Sequence, residues 1–262
     1  MRVVTWNINS LRLRLPLLRQ VVATLSPDIL CLQETKVPDE LFPLDDCKAL
    51  GFAHVAFHGM KSYNGVAILS RRPIDDVRTP GWCERADCRH LIAAIEGTEV
   101  HCLYVPAGGD IPDPTANPKF AHKLDFLREV GAWFRGSYHP GSRVILTGDF
   151  NVAPLETDVW SHKQLLGVVS HTPVEVELLG RLQAGLGWVD AVRHFVPATE
   201  RLYSWWSYRS PDWTRNDRGR RLDHVWVTPA LAPGLRSALV AREVRAWEQP
   251  SDHVPVVVDL DL

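Results

Sequence analysis

Apolar and polar positions alternate along this chain in short runs that read mostly as strands. Residues 2–8 (RVVTWNI) predict a buried strand beginning almost at Met1. Apolar residues then recur at helical spacing over Leu15–Leu25, with Pro16 suited to a first turn and Pro27 ending the run. Residues 28–33 (DILCLQ) form a second short apolar run, so the chain opens strand–helix–strand. Residues 53–57, 65–70, 91–96 and 100–105 read as further strands, separated by Gly, Pro and Asp. After a Pro/Gly-rich stretch at 107–118 (AGGDIPDPTANP) come a helix at 120–134 and a buried strand at 143–146. Residues 155–186 read as mostly helical, and residues 222–228 and 254–260 as late strands. Strands outnumber helices and the two kinds mix, which predicts one α/β unit with two sheets rather than a simple doubly wound sheet. The 107–118 stretch is the best internal linker candidate. No composition shift accompanies it and regular elements flank it closely, so it reads as an active-site loop.

Composition narrows the class. The chain has 262 residues, 45% hydrophobic and 23% charged, ordinary for a globular protein with a substantial core. A formal net charge of −2 argues against a basic coat for nucleic acid, and any DNA-binding charge has to be local. The five cysteines (Cys31, Cys47, Cys83, Cys88 and Cys102) include no Cys-x-x-Cys spacing. A disulfide framework or zinc site is therefore not expected, and a reducing cytosol fits. The start lacks the blocks of a signal peptide, and no apolar run approaches the ~18 residues of a membrane span.

The chemistry sits where apolar strands end. TWNIN carries Asn7 and Asn9, CLQET carries Gln33 and Glu34, and VILTGDFN carries Asp149 and Asn151. RLDHVWV carries Asp223 and His224, and PSDHVPVVV opens with Asp252 and His253. Any one of these could cap a turn. Together they would place several carboxylates near buried neighbours, which is costly unless they are paired or bind a cation. Oxygen donors without nearby cysteine suit a hard cation, Mg²⁺ or Mn²⁺.

In order, TWNINSLRLR, LQETK, YNGVAILS, LYVPAGG, GDFNVAP, RLDH and PSDHVPV resemble the exonuclease III family of apurinic/apyrimidinic endonucleases, over nearly the whole chain. LQET and GDFN also occur across the wider endonuclease/exonuclease/phosphatase superfamily, so the ordered set carries the resemblance. It implies a four-layer α/β sandwich of the DNase I-like kind, two facing and mainly antiparallel sheets covered by helices, forming a single catalytic domain over 1–262. The implied activity is Mg²⁺-dependent hydrolysis of DNA 5′ to abasic sites, with 3′–5′ exonuclease and 3′-end trimming, Mn²⁺ being a possible substitute.

By the same resemblance Glu34 is the principal metal ligand and Asn7 the amide beside it. Asp149 activates the attacking water, Asn151 positions that water or a phosphate oxygen, and both are metal-ligand candidates. Asp252 reaches the metal through water, His253 is the essential histidine with Asp223 as its partner, and Tyr104 touches the phosphate. His224 is read as structural. The chain departs from many relatives at Ala107, where an amide is frequent.

Residues 201–221 (RLYSWWSYRSPDWTRNDRGRR) hold six arginines, among them Arg209, against two aspartates, a local balance of +4. Aromatics among arginines suit a groove for phosphates and unpaired sugar or base surfaces, with Tyr203 and Trp206 expected in the core. By the same resemblance, Trp205 and Leu222 would line the pocket for an extruded abasic sugar, which excludes a normal base by size. Arg12 and Arg14 form a second basic stretch, which suits a phosphate contact or a solvated helix face equally. The expected partner is double-stranded DNA with abasic sites or blocked 3′ ends. The protein is expected as a monomer in the cytoplasm, near the nucleoid through its DNA. Two alternatives compete. A phosphatase of the same fold acting on a lipid or inositol phosphate would not predict the WW-and-arginine segment. A DNA-binding module without chemistry would not keep every catalytic position. No Gly-x-Ser-x-Gly supports a serine hydrolase.

Overall fold

The described residues form fourteen strands, six of them in each of two sheets. The computed structural model describes residues 1–210 and 212–262; position 211, inside the arginine-rich segment, lies outside the described residues. In chain order the strands are β1 (Arg2–Asn7), β2 (Ile29–Gln33), β3 (His54–His58), β4 (Val66–Ser70), β5 (Asp76–Arg78), β6 (His90–Ile95) and β7 (Thr98–Tyr104). They continue with β8 (Val144–Asp149), β9 (Val189–Asp190), β10 (Trp205–Trp206), β11 (Gly219–Arg220), β12 (Asp223–Val227), β13 (Leu235–Val240) and β14 (Val256–Leu260). One sheet runs β13-β14-β1-β2-β4-β3 and the other β5-β6-β7-β8-β12-β9. Each holds one parallel pairing, β1 with β2 and β7 with β8, among antiparallel neighbours. β10 and β11 form a separate two-stranded ribbon.

Period-two alternation builds the layers. Val3 of β1 joins Ile29, Cys31, Val100, Cys102, Ile145 and Val225 in a core between the sheets. Val4 and Trp6, on the opposite face, pack against Leu18 and Val21 of α1 (Leu15–Leu25). The outer face of the second sheet is covered by α3 (Pro118–Ser137) and α5 (Pro173–Leu186); the shorter α2 (Leu44–Ala49) and α4 (His162–Leu165) lie elsewhere. Helix, sheet, sheet, helix is the expected four-layer sandwich. Among the described residues no helix is long and apolar enough to cross a membrane.

The expectations needed correcting mainly at 155–186. This region starts with a 3-10 turn (Glu156–Asp158), continues into α4 and resumes as helix only at Pro173. Thr172 and Glu175 start α5 with a capping box, and the irregular turns between the helices line a cleft. The Leu15–Leu25 helix matches its expected bounds, with Pro16 in the first turn.

A buried ion network ties the cleft region to the second sheet. Arg221 lies 2.8 Å from Asp158 and 2.7 Å from Asp190, and all three are buried or nearly so. Arg221→Met would leave Asp190 in the interior without its ion pair and Asp158 with Arg193 alone. Stability is expected to fall by about 3–5 kcal/mol, read as a lower urea midpoint at unchanged slope; a shift under about 1 kcal/mol would be the value of an exposed pair.

Candidate active site

The inward-facing row of several strands holds only apolar residues and threonine until its last residue. Asn7 ends β1, Gln33 ends β2, Tyr104 ends β7, Asp149 ends β8 and Asp223 begins the antiparallel β12. Register aligns them: Asn7 pairs with Gln33, Tyr104 with Asp149, and Asp149 with Asp223. Facing sheets then bring both groups to one edge of the core.

Local backbone sharpens this edge. Glu34 leaves β2 with φ 52°, and Asn151 also takes φ 52°. Gly148 has φ 140°, and a Cβ there would collide with the carbonyl oxygen of Leu103, so only glycine lets β8 approach β7 before Asp149. Ser251 fastens the last motif: its hydroxyl donates to the Asn7 carbonyl (2.7 Å), and Trp6 Nε1 donates to the His253 carbonyl (3.1 Å).

The resulting contacts join every proposed metal and proton-transfer residue. Asn7 Nδ2 donates to Glu34 Oε1 and to Asp149 Oδ2, each at 2.9 Å. The Tyr104 hydroxyl donates to Glu34 Oε1 at 2.8 Å. Asn151 donates through its backbone N–H to Asp149 Oδ1 (2.9 Å) and through Nδ2 to the Val105 carbonyl (2.9 Å). His253 Nδ1 donates to Asp223 Oδ2 at 2.8 Å, which leaves Nε2 3.7 Å from Asp149 Oδ2. Asp252 accepts from Asn9 Nδ2 (3.1 Å) and from Trp205 Nε1 (2.9 Å).

Burial makes these charges interdependent. Burial alone would lower the His253 pKa, but Asp223 and Asp149 outweigh it and raise it to about 10. Burial pushes Asp149 up to about 7; the His253 charge opposes that rise and Asp223 adds to it. Glu34 is also desolvated, yet the Lys36 ammonium and the Asn7 hydrogen bond hold its carboxyl below the usual range.

The donor set fits a divalent cation. The Glu34 and Asp149 carboxylates share the Asn7 amide, and the neighbouring Asp223 Oδ1 is buried without a hydrogen-bond partner. Carboxylate and amide oxygens dominate, as a hard cation requires.

A cleft of about 760 Å³ opens at this cluster, its lining including Glu34, Asn151, Asp252 and His253 together with Trp160, Trp205 and Leu222. Arg209 and Arg218 are exposed on its lining, and Arg220 is half-buried there. Arg220 lies over the Trp205 ring (5.2 Å) and Arg218 over Trp160 (4.6 Å).

Other expectations divide. Arg12 is exposed but outside this lining. Arg14 is buried and turned to the Gln249 and Pro250 carbonyls and the Tyr208 hydroxyl, so it is an internal clamp rather than a phosphate contact. Tyr104 is buried and faces Glu34, not the cleft lining. Tyr203 and Trp206 pack in the core as expected. His224 stacks on Phe150 and hydrogen-bonds the Val152 carbonyl, a structural role.

The sequence reading passed over four residues. Lys36 stands 2.8 Å from Glu34 Oε2, and its place in LQETK was the available signal. Ser204 donates to Asp223 Oδ2 at 2.7 Å. Lys123 and Glu175 form a fully buried pair whose ammonium also donates to the Asn151 carbonyl at 2.7 Å. No local sequence pattern marks the last two.

Comparison with known proteins places this geometry. Residues 4–253 match the Endonuclease/Exonuclease/phosphatase family. The chain is 33% identical to exodeoxyribonuclease III of Haemophilus influenzae, over 98% of both chains. A solved AP endonuclease from Archaeoglobus fulgidus superposes with TM-score 0.93 at 33% identity, with full coverage of both chains. The 3′ phosphatase NExo from Neisseria, solved bound to a product DNA hairpin, superposes with TM-score 0.91 at 34% identity, again over both full chains. The chain belongs to the endonuclease/exonuclease/phosphatase family and, within it, to the exonuclease III group of apurinic/apyrimidinic endonucleases.

Proposed function

We propose that this chain, as a single catalytic domain over 1–262, is a DNA-repair phosphodiesterase. It hydrolyses the DNA backbone 5′ to abasic sites and trims blocked 3′ ends with Mg²⁺, for which Mn²⁺ can substitute. The observation that carries the reading is the carboxylate–amide–histidine cluster in a cleft that Trp205, Leu222 and several arginines also line. The names of the relatives support it and do not favour a lipid or inositol phosphate substrate. The reading includes action as a monomer in the cytoplasm.

Glu34, Asn7, Asp149, Asn151 and Asp252 are the residues that would hold or surround the cation, which when bound offsets negative charge on the scissile phosphate. Asp149, buried and next to Asn151, accepts a proton from the attacking water. Asn151 contributes mainly by fixing Asp149 through its backbone N–H. His253, oriented by Asp223, presents Nε2 to a non-bridging phosphate oxygen. The 3′ oxygen leaves, giving a 3′-hydroxyl and a 5′-phosphate. Arg209 and Arg12 meet backbone phosphates away from the scissile bond.

Trp205 and Leu222 receive the extruded abasic sugar, so Trp205→Ala is expected to harm abasic-site cleavage several-fold more than 3′ trimming of a normal end. Parallel rate measurements on the two duplexes check this, and equal losses would remove Trp205 from the pocket. Including inositol polyphosphate in the assay separates the reading from its alternative: preference for that compound over the abasic duplex would sink the DNA assignment.

A further inference from the structure

Glu34 has two carboxylate oxygens with different surroundings. Oε1 accepts from Asn7 Nδ2 (2.9 Å) and from the Tyr104 hydroxyl (2.8 Å), two buried protein donors. Oε2 faces the Lys36 ammonium at 2.8 Å. The same ammonium donates to Asn9 Oδ1 at 2.6 Å, so two contacts hold it over that oxygen. Glu34 and Lys36 both take φ 52°, and this folded-back turn is what returns Lys36 onto its neighbour in sequence. An ammonium in contact with Oε2 and a divalent ion bound to that oxygen repel each other at short range, so each weakens the other's hold on it.

We propose that Lys36 is a placeholder cation: it occupies the free oxygen of Glu34 until a divalent ion displaces it, and the released ammonium then turns to the substrate backbone. This rests on the reading of Glu34 as the metal ligand. The side chains of Lys36 and Glu34 are 28% and 19% exposed, so the lysine has a route outward. Its flexible four-carbon stem lets one point charge serve two positions. The exchange keeps the carboxylate neutralised without the ion and adds a phosphate contact once the ion arrives. Metal binding and DNA binding therefore reinforce each other.

The test is calorimetric titration of DNA-free protein with Mn²⁺, in wild type, Lys36→Met and Glu34→Gln. Lys36→Met is expected to bind Mn²⁺ about two- to five-fold more tightly, the competition that a partly exposed ion pair provides, and Glu34→Gln more weakly than wild type. Mg²⁺ titration of wild type with ¹³C-labelled lysine is expected to shift the Lys36 Cε resonance with a saturable midpoint, a readout that needs no variant to fold. Normal Mn²⁺ binding by wild type, with Lys36→Met equal or weaker and the Lys36 resonance unmoved, would overturn the placeholder role alone. Binding that Glu34→Gln leaves unchanged would overturn the ligand reading and the placeholder with it.

Discussion

Asparagine at position 149 is expected to lower backbone cleavage by at least ~10²-fold while DNA binding stays largely intact. The substitution keeps the shape of the side chain and its place beside Asn7 and Asn151, and removes its negative charge, one acceptor oxygen and the capacity to take a proton. Because Asp149 is pushed up to about 7 by burial, the wild-type rate is expected to rise as pH climbs through neutrality, when the carboxylate becomes the ionised base. A divalent ion alongside moves that limb to lower pH. Asp149→Asn should lose the limb altogether. Single-turnover cleavage across pH, with fluorescence anisotropy for binding, checks both statements. Turnover like that of wild type would take Asp149 out of the mechanism.

The second large effect concerns His253. With Nδ1 committed to Asp223 and two carboxylates nearby, the ring is held protonated up to about 10. Below that pH it offers Nε2–H and a positive charge to the phosphate; above it both are lost. The wild-type profile is therefore expected to fall on the alkaline side near pH 10 rather than near 6.5. His253→Gln removes the charge and is expected to cost about 10²–10³-fold, the range for losing one preorganised donor. The raised pKa also links to stability: the contribution is complete below the ordinary histidine pKa and disappears as pH rises through about 10. A His253→Gln enzyme retaining more than about a tenth of the wild-type rate would deny the ring its place at the phosphate.

Much of the site was legible because its residues end apolar runs. A polar residue closing the inward row of a strand is conspicuous when the row before it holds only apolar residues and threonine, as in Val3-Thr5-Asn7 or Ile145-Thr147-Asp149. Convergence is a different matter. It depends on β1 and β2 running parallel, on β7 and β8 doing the same, and on the stacking of the two sheets, none of which a local pattern contains. β13 escaped because five of its six residues are exposed or half-buried without clean alternation, and β9, β10 and β11 span two residues each. The 155–186 region reads as helix because its residues favour helix. The chain instead spends 166–172 on turns that shape the cleft, where Glu175 accepts from the backbone N–H groups of Ser170 and Thr172. Arg14 was misjudged for a related reason. A basic residue beside the first motif looks solvated until distant carbonyls at Gln249 and Pro250 come to meet it.

The central claim is that residues from five separated motifs grip one DNA backbone around a divalent ion. The most direct measurement incubates the purified protein with a duplex carrying a single abasic site, with Mg²⁺ or with a chelator, and analyses the ends produced. The account predicts scission only with the ion, immediately 5′ to the lesion, leaving a 3′-hydroxyl and a 5′-phosphate. Scission that persists in chelator, a 3′ end still carrying sugar remnant, or an uncut duplex with Mg²⁺ present would contradict it.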